Sequence, residues 1–255
     1  MFERASPSSI PKTLVLSRSL QIDSGSYTKI QTLQLYTYTI KTGPQMLRIC
    51  FANSKGGVGK STAAILALEW FAHRGFRVQL RDLDENRTTE SWAERCAAAG
   101  REIFSEEPDL EVIETAGLLG AADAFFGQAD LIVVPFRPLT ADLQRTIEWY
   151  LQLSDATQEK IAFLPNMVRV PNLTRDQIAG INQVDLLLAE ESLPMDRRLP
   201  GLANREAVYG VLPNGSDQNF FESTASDTKS RVNARHEATE TFTAIEQILR
   251  SLIDV

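Results

Sequence analysis

Residues 47–62 read Leu-Arg-Ile-Cys-Phe-Ala-Asn-Ser-Lys-Gly-Gly-Val-Gly-Lys-Ser-Thr, a short apolar run that ends in a glycine loop and then opens a helix-forming stretch. Few local patterns restrict a fold as tightly. Glycines let successive backbone N–H groups turn into one concavity, a lysine there reaches the β and γ phosphates of a nucleotide, and a hydroxyl offers a ligand to Mg²⁺. Gly57, Gly59, Lys60 and Ser61 fill those places, and Gly56, Val58 and Thr62 complete the cradle. A helix beginning near Ser61 adds the positive end of its dipole to the same spot. Strand, loop and helix agree, which argues against a glycine turn without a ligand and predicts bound ATP with Mg²⁺.

The pattern after Met46 alternates between short β-rich runs and longer helical stretches, as a mostly parallel sheet with helices on both faces requires. Strands are expected at Leu47–Asn53, Phe76–Asp82, Leu110–Glu114, Leu131–Pro135 and Lys160–Pro165. Helices are expected near Ser61–Arg74, Thr88–Ala99, Leu118–Gln128 and Thr140–Asp155. Farther on, Leu173–Ala189 reads as a helix, Asn204–Tyr209 as a short helical turn, and Asp227–Ile253 as an amphipathic helix that docks mainly through its second half.

Residues 1–45 differ, being rich in Ser, Thr, Gln and Tyr without a helical apolar period. They read as a poorly ordered arm, with Met46 as the natural start and the preceding segment an upstream extension; an added hairpin from Leu14–Leu20 and Leu33–Ile40 stays open beside that reading. The 255 residues, 43% hydrophobic, suffice for one large α/β core over 46–255. No run of eighteen apolar residues and no secretory signal pattern occurs, so a soluble, cytoplasmic protein is expected. Cys50 and Cys96 have no Cys or His at metal spacing and read as buried thiols. A net charge of -7 and a pI near 5.0 argue against a chain that coats nucleic acid over its whole surface, leaving a local basic patch as the only route to DNA.

A second motif, Arg81-Asp82-Leu83-Asp84-Glu85-Asn86-Arg87, follows at the end of the second expected strand. Alternation puts Asp82 and Asp84 on one side, at the carboxyl edge of the sheet, where carboxylates suit the magnesium shell and the orientation of an attacking water. A plain acidic cap on the next helix is the competing reading.

The standard phosphate loop has Gly at position 54, whereas this chain has Ser54 followed by an additional lysine, Lys55. In this the sequence resembles the ParA/MinD family of deviant Walker A ATPases, P-loop NTPases whose signature is Lys-Gly-Gly-x-Gly-Lys-Ser/Thr, and the resemblance runs over about 46 to 250. It implies that Lys55 reaches across a homodimer interface to the partner's ATP, much as an arginine finger does. It implies that Asp84 positions the hydrolytic water, with Lys60 on the phosphates, and that Asp82 and Ser61 serve the magnesium shell. Glu114 stands where relatives usually have the Walker B Asp; its longer arm suits octahedral Mg²⁺ geometry poorly, so hydrolysis is expected to be slow. Thr115 and Gly117 form either a γ-phosphate switch or a plain strand-to-helix turn. The stretch Ala129–Leu143 resembles the family's fourth core strand and following loop, placing Pro135, Arg137 and Pro138 at the dimer face. Asn166 lies where relatives often hydrogen-bond the adenine edge, or is an ordinary loop asparagine. Glu85-Asn86 replaces the common Pro-Gln, and the run Asp84–Arg87 followed by Trp92 looks more like the VirC branch that serves T-DNA transfer.

The same resemblance implies an ATP-state dimer that binds nonspecific DNA and answers to a cargo-bound activator, either ParB-like or a relaxosome component. Arg175, Arg197, Arg198, Arg205, Lys229, Arg231 and Arg235 are the candidate phosphate contacts, with a merely solvated face as the alternative. The closing helix carries too few cations beside its apolar face for membrane anchoring. Three functions compete: an ATPase that positions or segregates plasmid, integrative-element or transferred DNA; a nucleotide-gated scaffold with little turnover; and a metal-delivery or metabolic relative, which the lack of paired cysteines counts against.

Overall fold

The computed structural model describes residues 12–14, 38–40, 46–116, 126–169 and 173–253. The chain divides into two units, Met1–Gln45 and Met46–Val255. In the first, β1 (Lys12–Leu14) pairs antiparallel with β2 (Tyr38–Ile40), Thr13 opposite Thr39. These two strands fall within or beside the stretches that the sequence left open as a hairpin.

The second unit is built on a sheet of β3 (Leu47–Phe51), β4 (Val78–Leu83), β5 (Leu110–Thr115), β6 (Leu131–Phe136) and β7 (Ile161–Pro165), in the order β4-β5-β3-β6-β7. Every neighbouring pair is parallel, so the crossovers place helices on both faces, as expected. β5 and β6 are buried along their whole length. Alternation divides their side chains between two cores. Ile49, Phe51, Val112, Leu131 and Val133 pack under α1 (Lys60–His73), α2 (Thr88–Ala98) and α7 (Lys229–Ile253). On the opposite face Cys50, Ile113, Ile132, Val134 and Phe163 meet α3 (Thr140–Tyr150) and α5 (Arg175–Glu190). Both cysteines are free and buried, and burial pushes the Cys50 thiol up to about 12.

α1 is the most enclosed helix, with Ala63 through Phe71 all buried. The sheet covers one side and α7 the other, through Ala234, Ala238, Phe242, Ile245 and Leu249 at spacings of three and four. Trp70 Nε1 and Arg74 Nε both donate to Glu246 of α7 at 3.2 Å, which fixes the pairing. α7 docks from Ala234 onward, so only its first turn, where Val232 is 48% exposed, stands clear, and more of its first half packs than the sequence suggested.

Elsewhere the boundaries move. The expected helix Thr140–Asp155 stops at Tyr150, and a separate turn, α4 (Asp155–Gln158), follows; Gln158 Nε2 donates to the carbonyls of Tyr150 and Leu153, both at 3.1 Å, relieving acceptors that a helix end leaves open. α5 starts at Arg175 because Thr174 and Gln177 form a reciprocal capping box. The turn near Tyr209 shortens to α6 (Glu206–Tyr209). The expected helix Leu118–Gln128 lies outside the described residues except for its last turn at Phe126.

α5 approaches the loop after β6 so closely that a Cβ on Gly180 would fall 2.5 Å from the Pro138 carbonyl oxygen and 2.6 Å from its carbon. Gly180→Ala gains helix propensity of about 1 kcal/mol, yet the backbone cannot yield without displacing that loop. We expect net destabilisation of about 1–3 kcal/mol, measured as a lowered urea midpoint; an unchanged or raised midpoint would contradict the packing.

Candidate functional site

Three elements converge on one end of the sheet: the loop between β3 and α1, the segment between β4 and α2, and the residues just past β5 and β7. The loop takes left-handed conformations at Gly57 (φ 72°) and Gly59 (φ 90°), which only glycine adopts without strain. Gly59 is also the N-cap of α1, where no side chain caps the helix and no acid stands in the first turn. The first-turn amides are therefore left for a ligand. A cavity of about 490 Å³ opens at this point, bounded by Gly56, Gly57 and Gly59, by Lys60, Ser61 and Thr62, by Asp84, Glu85 and Asn86, and by Ala116 and Met167.

Asn166 explains how the loop holds its shape. It is 4% exposed, its Nδ2 donates to the Val58 carbonyl at 2.7 Å, and its Oδ1 accepts from the Met167 amide at 2.8 Å. A Cβ on Gly59 would sit 2.1 Å from that Nδ2. Asn166 thus grips the loop's main chain.

The two lysines differ in surroundings. Lys60 is 7% exposed, lines the cavity and, among the described residues, has no ion-pair partner, so its ammonium suits an anion there. Lys55 lies at the surface, its Nζ 3.5 Å from Asp142 Oδ1, and the same carboxylate takes Arg137 Nε at 3.2 Å. Its backbone is fixed as well, the amide donating to Asn53 Oδ1 at 2.8 Å.

The acids are more heavily engaged than the sequence suggested. Asp82 accepts from the Asp84 amide at 3.0 Å and from the amides of Thr89 and Glu90, both at 3.1 Å, so much of its accepting capacity caps α2. Asp84 Oδ1 takes the amide and the side-chain nitrogen of Asn86, at 3.0 and 2.9 Å, and Asp84 is one of the residues that bound the cavity. Glu114 is fully buried, opposite Asp82 in the sheet register, and accepts from the hydroxyls of Ser61 and Thr89. Thr115, considered as a phosphate sensor, instead donates to the Phe51 carbonyl at 3.2 Å and is 2% exposed; Gly117 lies outside the described residues.

Burial, then the nearby Asp82 and Asp84, push the Glu114 carboxyl up to about 7 against the lowering effect of the two hydroxyls. Carboxylates crowded beside the Ser61 hydroxyl and the Lys60 ammonium suit a magnesium–phosphate pair. No cluster of three or more His, Cys, Asp or Glu side chains able to cage a metal occurs among the described residues. Mg²⁺ needs none when it is held by one or two protein oxygens plus substrate phosphates.

The candidate DNA cations fare unequally. Arg235, its side chain 13% exposed, donates to Asp227 at 2.6 Å and to the Phe220 carbonyl at 3.1 Å, a structural staple at the start of α7. Arg205, 12% exposed, is forked onto Glu237. Arg198 pairs with Asp185 at 2.5 Å and Arg231 with Asp227 at 3.4 Å. Backbone donation from Thr224, then Arg235, holds the Asp227 carboxyl down to about 2. Only Arg175, Arg197 and Lys229 of that set lack an ion-pair partner among the described residues. A second cleft, about 460 Å³, lies beside α2, α6 and the start of α7, but its charges already match one another, Asp227 with Arg231 and Glu69 with Arg101. The open end of α1 is therefore the candidate site. Two contributors went unread in the sequence, Thr89 and Asp142. Each lies in the first turn of an expected helix, where a short polar residue reads as ordinary helix-start chemistry.

The raised Glu114 carboxyl has a definite sign. Below about pH 4.5 the group is protonated whether the chain is folded or not; between 4.5 and 7 only the unfolded chain ionises, so the folded state loses stability as pH rises. In the metal-free protein Glu114→Gln is expected to remove that loss, worth about 3 kcal/mol by pH 8. Denaturant titrations of both proteins at pH 5 and pH 8 measure it, and parallel pH dependence would refute it.

Comparison with known proteins gives the family and the fold. Residues 49–208 match the model of the CobQ/CobB/MinD/ParA nucleotide binding domain. A relative, Protein ParA of Rhizobium radiobacter, is 25% identical over 224 residues, covering 79% of this chain and 99% of its own. Among solved structures, pNOB8 ParA superposes with a TM-score of 0.58 at 13% identity, covering 82% of this chain and 98% of that one. The same protein bound to nonspecific DNA gives 0.50 at 11% identity, over 80% and 99%. McdA of Cyanothece in complex with ATP gives 0.53 at 15% identity, over 81% and 97%. With the family model spanning well over half of its length, the chain belongs to the CobQ/CobB/MinD/ParA family of nucleotide-binding proteins.

Proposed function

We propose that this protein is a cytoplasmic ParA-type ATPase that dimerises on ATP and positions or segregates DNA. One observation carries the reading: an uncapped α1 whose free amides, buried Lys60 and Ser61 face one cavity, with an additional lysine, Lys55, at its rim. The amides of Gly57 to Thr62 cradle the phosphates and Lys60 neutralises them. Ser61 and Glu114 would hold Mg²⁺, with Asp82 behind them, and the ion would supply charge neutralisation to the phosphates. Asp84 presents its unengaged oxygen to the attacking water. Lys55 leaves Asp142 and reaches the partner's nucleotide, so the ATP state is read out as a dimer.

DNA contact in this reading falls to Arg175, Arg197 and Lys229, with Arg198 and Arg231 as secondary contributors; Arg205 and Arg235 hold the fold instead. Support comes from the family match and from the DNA complex of pNOB8 ParA. The partner that stimulates turnover is a cargo-bound activator, ParB-like for partition or part of a relaxosome for transfer. No described helix is long and apolar enough to cross a membrane. A second reading, a nucleotide-gated scaffold with little turnover, draws on the direct bond between Glu114 and Ser61, which sets the acid against the metal's own hydroxyl ligand.

Calorimetry with Mg²⁺ and ATP is expected to show uptake by the wild type, no uptake by Lys60→Ala, and retained uptake without ATP-dependent dimerisation by Lys55→Ala. Unimpaired binding by Lys60→Ala would end the assignment, whereas wild-type binding with no turnover on DNA would select the scaffold. Affinity for DNA in the ATP state should fall steeply with salt. A salt-insensitive complex, or none at all, would remove DNA from the proposal.

A further inference from the structure

We propose that Thr89 is a positioning residue that makes a glutamate workable at the end of β5, by fixing one Glu114 oxygen so that the other meets Ser61 at the metal position. The inference rests on the reading above that Ser61 and Glu114 face a magnesium nucleotide.

Thr89 is fully buried and touches both acids that flank the site. Its amide donates to Asp82 Oδ2 at 3.1 Å, and its hydroxyl donates to Glu114 Oε2, while Ser61 donates to Glu114 Oε1. Asp82 and Glu114 lie opposite each other on adjacent parallel strands, so one residue of α2 ties the two strand ends together, through its backbone amide to Asp82 and its hydroxyl to Glu114. The need for such a tie follows from chain length. A glutamate has one more rotatable bond than an aspartate, and its terminal torsion is broad and roughly two-fold. Without a donor on Oε2 the carboxylate would turn, and a fully buried oxygen would lose its partner. Near-octahedral Mg²⁺ at about 2.0–2.1 Å tolerates little such freedom. Groups that orient a metal-holding carboxylate from behind typically contribute about 10–100-fold to metal affinity.

The test is Thr89→Val, which keeps the shape and the amide bond to Asp82 but deletes the hydroxyl. Binding of a fluorescent N-methylanthraniloyl ADP is followed against Mg²⁺ concentration and, separately, in excess EDTA. We expect the Mg²⁺ concentration that half-saturates the tightening to rise about tenfold, with affinity in EDTA unchanged and Thr89→Ser restoring the wild-type midpoint. In a Glu114→Asp background the hydroxyl has no long arm to hold, so adding Thr89→Val should shift the midpoint less than twofold. An unshifted midpoint in Thr89→Val, an equal loss in EDTA that marks a folding role, or failure of Thr89→Ser to restore would each overturn the inference. Wild type that takes up no magnesium nucleotide would sink the ATPase reading and this inference together; a normal wild type with an unshifted valine variant would sink this inference alone.

Discussion

An α-helix whose first amides are deliberately left without a cap is the constraint on which the rest of this structure depends. Such a helix end costs stability unless a ligand takes the donors. The fold offsets that cost by burying α1 on nearly every side, between the sheet and α7. The loop before it is then held at both ends by buried asparagines. Asn53, 2% exposed, donates to the Pro135 carbonyl at 2.8 Å and to Thr146 Oγ1 at 3.1 Å while accepting the Lys55 amide. Asn166 does the same for Val58 from the far side of β6. Strand ends β3 and β7 thereby set the loop's curvature before any nucleotide arrives, which is what preorganised electrostatic binding requires.

Lys55 illustrates a different design, in which the contact is weak on purpose. Its ion pair with Asp142 is 3.5 Å long, with side-chain exposures of 29% and 19%. Pairs of this kind contribute about 0–1 kcal/mol. Arg137, already 3.2 Å from the same carboxylate, can keep it neutralised when the lysine leaves. If Lys55 acts in trans as proposed, the monomer holds it near the rim at little energetic cost to its release. The backbone under it stays fixed by Asn53, so only the flexible stem has to move.

Much of this was legible in the sequence, and the reasons separate cleanly. The loop at Lys55–Thr62 could be read because its geometry is local: glycine at Gly57 and Gly59 is demanded by the backbone itself, and the following amides come with the helix. The five parallel strands were legible through alternation and apolar runs, apart from shifts of a residue or two. What escaped reading was set by partners distant in the chain. Arg205 and Arg235 looked like a basic flank, yet Glu237 and Asp227 neutralise them across 32 and 8 residues. The bond from Asn166 to the Val58 carbonyl, 108 residues earlier, was likewise not to be read from either stretch alone. The break after Tyr150 is closed by a single glutamine three residues beyond the next helix start, a signal no periodicity carries. Thr89 was hidden for the same reason, because only the register of β4 against β5 brings Asp82 and Glu114 within reach of one residue's amide and hydroxyl.

The acids at the sheet edge show why these hidden contacts matter. Glu114 is desolvated and lies in the field of Asp82 and Asp84, and both effects raise its carboxyl, so the empty fold carries an electrostatic cost at neutral pH. Hydroxyls of Ser61 and Thr89 reduce it but supply no charge. Lys60, which lines the same cavity, has no ion-pair partner among the described residues. Neither half is relieved by the protein alone: the acids call for a divalent cation and the lysine for an anion, and a magnesium-bound phosphate chain answers both at once. Strain of this kind at a functional site is tolerated because ligand binding recovers it. It also favours an ordered response, since a nucleotide without metal would satisfy Lys60 and the amides while leaving the carboxyl group crowded.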